Sequence, residues 1–213
     1  MKPVSRKEYV KLYYPHIKKI TAGTGIFPAT QISQAIVESS GKINGVWYVG
    51  GSKLAKDYNN LHGIKAGGSW KGKSVNMKTR EVYNGQDVTI TDAFRVYDKP
   101  EDSMTDHVKF LIENPRYKKA GVFEAKNVKE QAEALKRAGY ATDPNYSKTI
   151  SDVSKQVEKY IKELFGDSPP PEPDRTTPPA PTPPGPVMAK TPPVFTWLLL
   201  IAAAVFFYKN IKA

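Results

Sequence analysis

Apolar side chains recur at helical spacing along most of residues 5–165. The first run follows Ser5 and Glu8, which have the spacing of a helix capping box, and it stops before Gly23 and Gly25. This pattern predicts an amphipathic first helix that ends at the glycines. Its apolar members are Tyr9, Leu12, Tyr13, Ile17 and Ile20.

A second helix is predicted from Pro28, because a proline at the first helical position gives up no intrahelical hydrogen bond. Glu38 lies on the same line of this helix as Gln31 and Gln34, beside an apolar stripe. A carboxyl group at the end of a half-buried helix is well placed to face a cleft, and a solvated glutamate is the alternative interpretation. The apolar stripe consists of Ile32, Ala35 and Ile36.

The pattern changes to alternation around residues 74–97, where Asn84 and Gly85 carry the signal of a two-residue β-hairpin turn. Residues 94–97 are predicted as a third strand. Glu81 comes just before the turn, where a charge that keeps an edge strand soluble is the ordinary interpretation. The alternating residues before the turn are Val75, Met77 and Thr79.

The remaining segments predict a short helix capped by Ser52 and three longer helices. The first of the three begins at Ser103 and is stopped by Asn114 and Pro115, and the second runs from the cap Asn127 to Gly139. The third is the last helix of the domain and follows Asp143. The prediction is therefore an α+β fold, mainly helical with one small antiparallel sheet. The apolar residues of these helices are Val108, Leu111 and Ile112, then Ile150, Val153, Val157, Ile161 and Leu164.

The glycine-rich residues 41–51 predict a loop or a short hairpin beside the second helix. Trp47 and Tyr48 lie in this segment, where their rings are suited either to stacking on sugars or to packing in the core.

A series of short motifs lies in one order along the chain: QAIVESSG (34–41), SKLA (52–55), NNLHGIK (59–65), WKG (70–72), TRE (79–81), FRVY (94–97), NPRY (114–117) and AGYATDP (138–144). In this order they resemble the glucosaminidase domain of peptidoglycan hydrolases, glycoside hydrolase family 73, which includes flagellar muramidase-like domains, autolysins and phage lysins. The resemblance implies a lysozyme-like fold. Two departures are the long segment 41–51 and His62, which stands where an aromatic residue is common.

The resemblance also implies roles for individual residues in a groove that binds peptidoglycan. Glu38 is expected to be the general acid, and Glu81 to activate water or to stabilise charge. An open alternative is substrate assistance, in which the N-acetyl group of the sugar attacks and Glu81 only orients it. Tyr117 is expected to hold the sugar, although a tyrosine after a helix stop is equally typical of the core. Further substrate contacts are expected from Gln34, Trp47, Tyr48, Asn60, His62, Trp70 and Tyr140.

Composition narrows the chemistry of the 213-residue chain. The absence of cysteine excludes disulfides and thiol chemistry, and the three histidines show no ligand spacing, so we expect no metal and no cofactor. The net charge of +11 favours a polyanionic partner. No nucleic-acid-binding motif accompanies that charge, and we therefore favour the bacterial wall over a specific nucleic acid.

The C-terminal part has a different composition. Of the 18 prolines, 12 fall in residues 168–193, which predicts an extended linker. Residues 194–208 are almost entirely apolar, and although 15 residues are fewer than the ~20 of an ordinary membrane span, we expect an anchor followed by a short basic tail, 209–213. The catalytic domain is then assigned to residues 1–167.

The resemblance implies a peptidoglycan hydrolase that cleaves β-1,4 bonds between N-acetylglucosamine and N-acetylmuramic acid, and the C-terminal composition predicts that this enzyme is anchored to a membrane. The alternatives are a lytic transglycosylase and a non-catalytic wall-binding or structural protein. Residues 1–4 lack the apolar run of a signal peptide. We therefore expect a phage enzyme, active in lysis or in a lipid-containing virion, over a hydrolase of the bacterial envelope. Either way the domain is expected to face the wall, and the sequence leaves the oligomeric state open.

Overall fold

The computed structural model describes residues 1–67, 70–83 and 86–166, with the backbone alone for residues 80–83 and 86–87. The predicted mainly helical α+β fold is confirmed. The elements are α1 (Arg6–Thr21), α2 (Pro28–Ser39), β1 (Gly41–Ile43), β2 (Val46–Tyr48), α3 (Lys53–Tyr58), β3 (Ser74–Tyr83), β4 (Gln86–Arg95), α4 (Pro100–Glu113), α5 (Pro115–Lys119), α6 (Val128–Arg137) and α7 (Tyr146–Phe165).

Helix α2 is the central element of the fold. It packs against α1, α6 and α7, and every residue from Pro28 through Ile36 is buried. The predicted apolar stripe is therefore confirmed, but the predicted half-burial is wrong, because helices surround α2 on several sides. Only Val37 and Glu38, in its last turn, are partly exposed within the helix.

The helix caps predicted from the sequence are present. The hydroxyls of Ser5 and Ser52 accept hydrogen bonds from backbone N–H groups three residues later, and Asn127 caps α6 through the N–H of Glu130 at 2.9 Å. Helix α4 begins at Pro100, three residues before the predicted start, because this proline occupies the first helical turn.

Two predicted core positions are exposed. Leu12 on α1 is 50% exposed and Ile112 on α4 is 38% exposed. On α1 the buried face is displaced from the predicted stripe by about one residue, so that Val10 and Tyr14 enter the core while Leu12 faces outward.

The predicted hairpin is confirmed as two ten-residue antiparallel strands, paired from Ser74 with Arg95 to Tyr83 with Gln86. The turn residues Asn84 and Gly85 lie outside the described residues. The predicted third strand at 94–97 is wrong, because β4 continues without a turn through Phe94. The other edge of β4 is joined by a single bridge, from Lys65 to Phe94.

The segment after α2 forms the short hairpin β1–β2, as one of the two predicted alternatives. Its two ends approach closely: a Cβ on Gly41 would lie 2.4 Å from the carbonyl carbon of Gly51. This contact requires glycine and closes the hairpin at its base. The N–H of Gly50 donates a hydrogen bond of 3.1 Å to the hydroxyl of Ser39, so this base lies beside the end of α2 that carries Glu38.

Within residues 1–67, 70–83 and 86–166, no helix has the length and apolar character needed to cross a membrane. The predicted linker at 168–193, the predicted anchor at 194–208 and the tail at 209–213 lie outside the described residues.

Candidate active site

Glu38 has an environment that favours its neutral form. Its Oε1 atom is buried and has no hydrogen-bond partner among the described residues. Burial raises the pKa of Glu38 well above the usual range of a glutamic acid, because the ionised form would lose its hydration without compensation. A carboxyl group that keeps its proton near neutral pH is suited to general acid catalysis.

Gln34 lies one helical turn before Glu38 and connects α2 to α7. Its Nε2 donates a hydrogen bond of 2.8 Å to the hydroxyl of Tyr146, the first residue of α7. Burial is the largest cause of a raised pKa at Tyr146, and the charge of Glu38 is the next. Tyr146 therefore lies within electrostatic reach of the carboxyl group.

Tyr140 is the second tyrosine near Glu38. Its ring centroid lies 5.7 Å from that of Tyr146 and 6.2 Å from that of Tyr117. Burial raises the pKa of Tyr140, with further contributions from the neighbouring Tyr146 and Glu38. Glu38 is thus bordered by aromatic rings whose hydroxyls are neutral, which lowers the local polarity without adding charge.

Tyr117 is fully buried on α5, between Phe110 and Tyr140. Its hydroxyl accepts a hydrogen bond of 2.6 Å from Arg116, and burial raises its pKa to about 12 despite the opposing effect of this guanidinium. The structure thus places Tyr117 in the tyrosine cluster, where its ring is a packing element.

Asn60 and His62 are buried in the loop after α3. The amide of Asn60 donates to the carbonyls of Ile64 and Arg95, each at 2.9 Å, and its Oδ1 accepts from the N–H of Ile64. These bonds join the loop to the end of β4. His62 stacks on His107 with ring centroids 3.9 Å apart, and its exposed fraction is 0%.

Trp70 belongs to a different cluster, at the base of the β3–β4 hairpin. The guanidinium of Arg95 lies over its ring at 4.6 Å, and its Nε1 donates to the carbonyl of Lys73. Arg95 also pairs with Asp106 on α4 at 2.6 Å, and the hydroxyl of Tyr97 donates to the same carboxylate at 2.6 Å. This arrangement fixes the hairpin to the helical part.

The other predicted residues lie on the two hairpins. Trp47 and Tyr48 are half-buried on β2, and the Lys42 ammonium lies 5.5 Å from the centre of the Trp47 ring. Glu81 lies on β3 opposite Val88, and its side chain is outside the described part of the structure. Among the described residues, no group of three His, Cys, Asp or Glu side chains is arranged to hold a metal ion.

Comparison with known proteins shows the family to which the chain belongs. A model of the glucosaminidase family, described as mannosyl-glycoprotein endo-beta-N-acetylglucosaminidase, matches residues 14–159. The chain belongs to the glucosaminidase family. This confirms the resemblance seen in the sequence motifs and the prediction that the chain is a glycoside hydrolase.

Curated relatives share the glucosaminidase region. The exo-glucosaminidase LytG of Bacillus subtilis (strain 168) is 42% identical over 138 residues, which are 63% of this chain and 44% of LytG. The peptidoglycan hydrolase FlgJ of Vibrio parahaemolyticus is 34% identical over 154 residues, which are 72% of this chain and 48% of FlgJ. The chain therefore spans about half the length of the relatives it matches.

Solved structures of a peptidoglycan hydrolase and of an autolysin have the same fold. A mutant peptidoglycan hydrolase from Sphingomonas sp. A1 has a TM-score of 0.60 at 27% identity, with 74% of this chain and 99% of that chain covered. The catalytic domain of the autolysin Auto from Listeria monocytogenes has a TM-score of 0.58 at 29% identity, with 75% and 89% covered.

Within this glucosaminidase domain, the structure brings together only some of the predicted site residues. Glu38, Gln34, Tyr117 and Tyr140 are in one cluster, which also contains Tyr146. Tyr146 was not predicted for this cluster. Neither were His107 and Gln31, which together with the predicted His62 adjoin the cluster through the bond from His107 to Tyr140. Tyr146 lies four residues before Ile150, and its spacing therefore predicts one more apolar position on the stripe of α7. Only the fold shows that its hydroxyl bonds to Gln34 on α2.

Proposed function

We propose that the chain is a peptidoglycan hydrolase that cleaves the β-1,4 bond between N-acetylglucosamine and N-acetylmuramic acid, with Glu38 as the general acid. The observation that carries this proposal is the carboxyl of Glu38, whose Oε1 is buried beside neutral tyrosines, in a chain of the glucosaminidase family. Relatives named as peptidoglycan hydrolases support the choice of polymer.

Proton donation to the glycosidic oxygen is the step that the arrangement supports most directly. The protonated Glu38 transfers its proton to the leaving oxygen while positive charge develops at the anomeric carbon. The resulting carboxylate must regain a proton before the next cycle, from the attacking water or from solvent, according to which group activates that water. Tyr140 is proposed to border the sugar beside the bond that breaks. Gln34 is fully buried, so we propose that it acts on the site through its hydrogen bond to Tyr146.

Glu81 is the proposed second acid, from its place on the long hairpin. Glu81 has two alternative roles. In the direct role, its carboxylate activates water or stabilises the developing charge. In substrate assistance, the N-acetyl group of the sugar attacks and Glu81 only orients that group. Measurement of Glu81→Gln separates them. A loss as deep as that of Glu38→Gln supports the direct role, and a clearly smaller loss supports substrate assistance.

The first experiment is digestion of purified peptidoglycan, followed by mass analysis of the product ends. We expect new reducing ends of N-acetylglucosamine. New muramic reducing ends would contradict the assigned bond. Anhydro-muramic ends would identify a lytic transglycosylase, because that reaction adds no water. A folded protein that binds the wall and releases no product would be a scaffold.

A non-catalytic scaffold is disfavoured by the state of Glu38. A buried carboxyl with an unpartnered oxygen lowers the stability of a fold and contributes nothing to passive binding. Such a cost is typical of residues that are kept for chemistry.

We also propose that residues 168–193 tether the enzyme to a membrane through residues 194–208, with the catalytic domain facing the wall. The proline content of the tether and the apolar character of the following stretch support this. Flotation with vesicles of neutral lipid is the test, because neutral lipid removes the attraction of the basic domain. The full chain is expected to float with the vesicles, and residues 1–167 to stay in solution. Equal behaviour of both would contradict the anchor.

A role in a phage, during lysis or when a lipid-containing virion opens the wall, is the finer proposal. The resemblance to a family that includes phage lysins, together with the apolar stretch 194–208 that a lipid layer could hold, supports it. Recovery of the chain in purified particles would agree with the virion version. Its presence in uninfected bacterial envelopes, together with absence from particles, would favour a cellular hydrolase.

A further inference from the structure

A chain of fully buried polar side chains leads from the hydroxyl of Tyr140 to helix α2. The Nε2 of His107 on α4 lies 2.9 Å from the hydroxyl of Tyr140, and its Nδ1 lies 2.9 Å from the Oε1 of Gln31 on α2. Both His107 and Gln31 are 0% exposed. Proton donation by Glu38 uses neither His107 nor Gln31. The bonds that link them to Tyr140, a tyrosine of the site, therefore point to a separate role.

The surroundings of Gln31 determine which way its amide points. Its Nε2 lies 3.4 Å from the carbonyl oxygen of Met104 and 3.4 Å from the Nε2 of His62. A carbonyl oxygen only accepts hydrogen bonds, so the NH₂ end of the amide must face Met104. The oxygen end of Gln31 then faces His107, and the Nδ1 of His107 must carry the hydrogen.

The tautomer of His107 in turn determines the direction of the bond to Tyr140. Burial against His62 keeps the pKa of His107 well below its usual range, so the ring is neutral and has one N–H. That hydrogen is on Nδ1, which leaves Nε2 as an acceptor. The hydroxyl of Tyr140 must therefore donate to His107.

We propose that His107, oriented by Gln31, is a positioning residue that draws the hydroxyl proton of Tyr140 into the core, so that Tyr140 serves the site only as a hydrogen-bond acceptor. Its oxygen accepts from the protonated Glu38 or from an N–H or O–H group of the sugar. Tyr146 has the opposite polarity, because it accepts from Gln34 and keeps its own O–H for donation. The inference rests on the proposed function for its kinetic part, but not for its structural part.

The structural part is tested by ¹⁵N NMR of the full chain, in which imidazole nitrogens with and without hydrogen give distinct shifts. The chain has only three histidines, and His107→Phe identifies the His107 signals by their loss. We expect hydrogen on Nδ1 and a bare Nε2 at neutral pH. Hydrogen on Nε2, or on both nitrogens, would overturn the proposal without any reference to activity.

The kinetic part is tested by a double-mutant cycle on wall hydrolysis with His107→Phe and Tyr140→Phe. His107→Phe is expected to lower kcat by about tenfold, the scale of one lost hydrogen bond. In the Tyr140→Phe background, His107→Phe should have no further effect, because its influence acts through the hydroxyl. Equal losses in both backgrounds would reduce His107 to a packing residue.

A conservative variant separates positioning from folding. The side-chain oxygen of His107→Gln offers an acceptor to Tyr140, so this variant should recover part of the kcat lost in His107→Phe. No recovery in a folded His107→Gln protein would contradict the positioning role. If the wild-type chain releases no sugar at all, the proposed function fails, and the NMR result still decides the tautomer.

Discussion

Gln34 and Tyr146 are joined by a hydrogen bond of 2.8 Å that links the helix of the acid to the start of α7. Gln31, Gln34 and Glu38 are spaced three and four residues apart, so they form a polar stripe on one side of α2. Both glutamines are fully buried. A polar stripe inside a protein is unfavourable unless its atoms find partners. Gln34 bonds to Tyr146 and Gln31 to His107, whereas the Oε1 atoms of Gln34 and Glu38 have no partner among the described residues.

The first prediction concerns the hydroxyl of Tyr146. Tyr146→Phe removes the acceptor of the buried Gln34 amide and should lower the free energy of unfolding by about 1–3 kcal/mol. Tyr160→Phe, on the same helix and half-buried, is the matched control and should change it little. Denaturant unfolding measures both. An equal, small effect of the two substitutions would contradict the role of the Gln34–Tyr146 bond.

Loss of the acid should abolish most activity without unfolding the chain. Glu38→Gln keeps the size of the side chain but removes the transferable proton, so turnover of peptidoglycan should fall by roughly 10²–10⁴-fold. Glu158→Gln is the control, because Glu158 on α7 also has its pKa raised by burial but lies outside the cluster. Near wild-type clearing of walls by Glu38→Gln would remove Glu38 from the mechanism.

The same substitution should stabilise the fold at neutral pH. A pKa raised in the folded state means that the folded chain holds a proton which the unfolded chain has lost, so stability falls as pH rises above the ordinary pKa of a glutamic acid. Glu38→Gln has no titrating carboxyl at this position, so its stability does not fall with rising pH for this reason. Its melting temperature should exceed that of the wild type by a few degrees near neutral pH, at roughly 2–4 °C per kcal/mol, and the difference should shrink in acid. A constant difference across pH would point to packing instead.

The helices, and the place of Glu38 at the end of one of them, were predictable from sequence because their signals are local. The caps at Ser5 and Asn127 lie within three residues of the groups they bind, and the motif around Glu38 is one continuous stretch. The partners of the polar stripe are not local. Tyr146 is 112 residues from Gln34, and His107 is 76 residues from Gln31, so neither pair has a sequence signal.

Family motifs also mix residues that perform chemistry with residues that hold the fold. Asn60 and Trp70 were both predicted to contact substrate, and the structure gives them bonds to backbone carbonyls and contact with Arg95. A motif records which residue types occur together, whereas only the packing shows whether a side chain faces a groove. The predicted substrate contacts, those of Asn60 and Trp70 as well as those of Trp47 and Tyr48, stay predictions.

Arg95, Asp106 and Tyr97 form a polar cluster, here called the clamp, at the base of the long hairpin. This clamp should be important for stability and activity. Asp106→Asn breaks the ion pair with Arg95 and weakens the bond from Tyr97, so we expect a loss of about 1.5–3 kcal/mol in unfolding free energy. Activity should fall as well, because the hairpin carries Glu81. Asp98→Asn, in the exposed pair with Lys73, is the control and should have no measurable effect. Equal unfolding free energies for the two variants would contradict the clamp.

Stability in acid should depend on the stacked histidines. Burial lowers the pKa of His62 to about 3 from an ordinary value near 6.5. At a pH between these two pKa values, His62 is protonated in the unfolded chain and neutral in the folded chain. The free energy of unfolding therefore falls as pH decreases. The slope from one such group is about 1.4 kcal/mol per pH unit.

His62→Phe places a ring of similar shape over His107 and removes this proton uptake, so the free energy of unfolding should depend less steeply on pH below about 6. A residual slope is expected because His107, whose pKa is also lowered by burial, keeps its own contribution. His16→Gln controls for the loss of a histidine outside the stack, where His16 bonds to Thr105. Denaturant unfolding at a series of acidic pH values measures all three chains. A slope in His62→Phe equal to that of the wild type would mean that His62 is already protonated in the folded state, and the neutral stack would have to be abandoned.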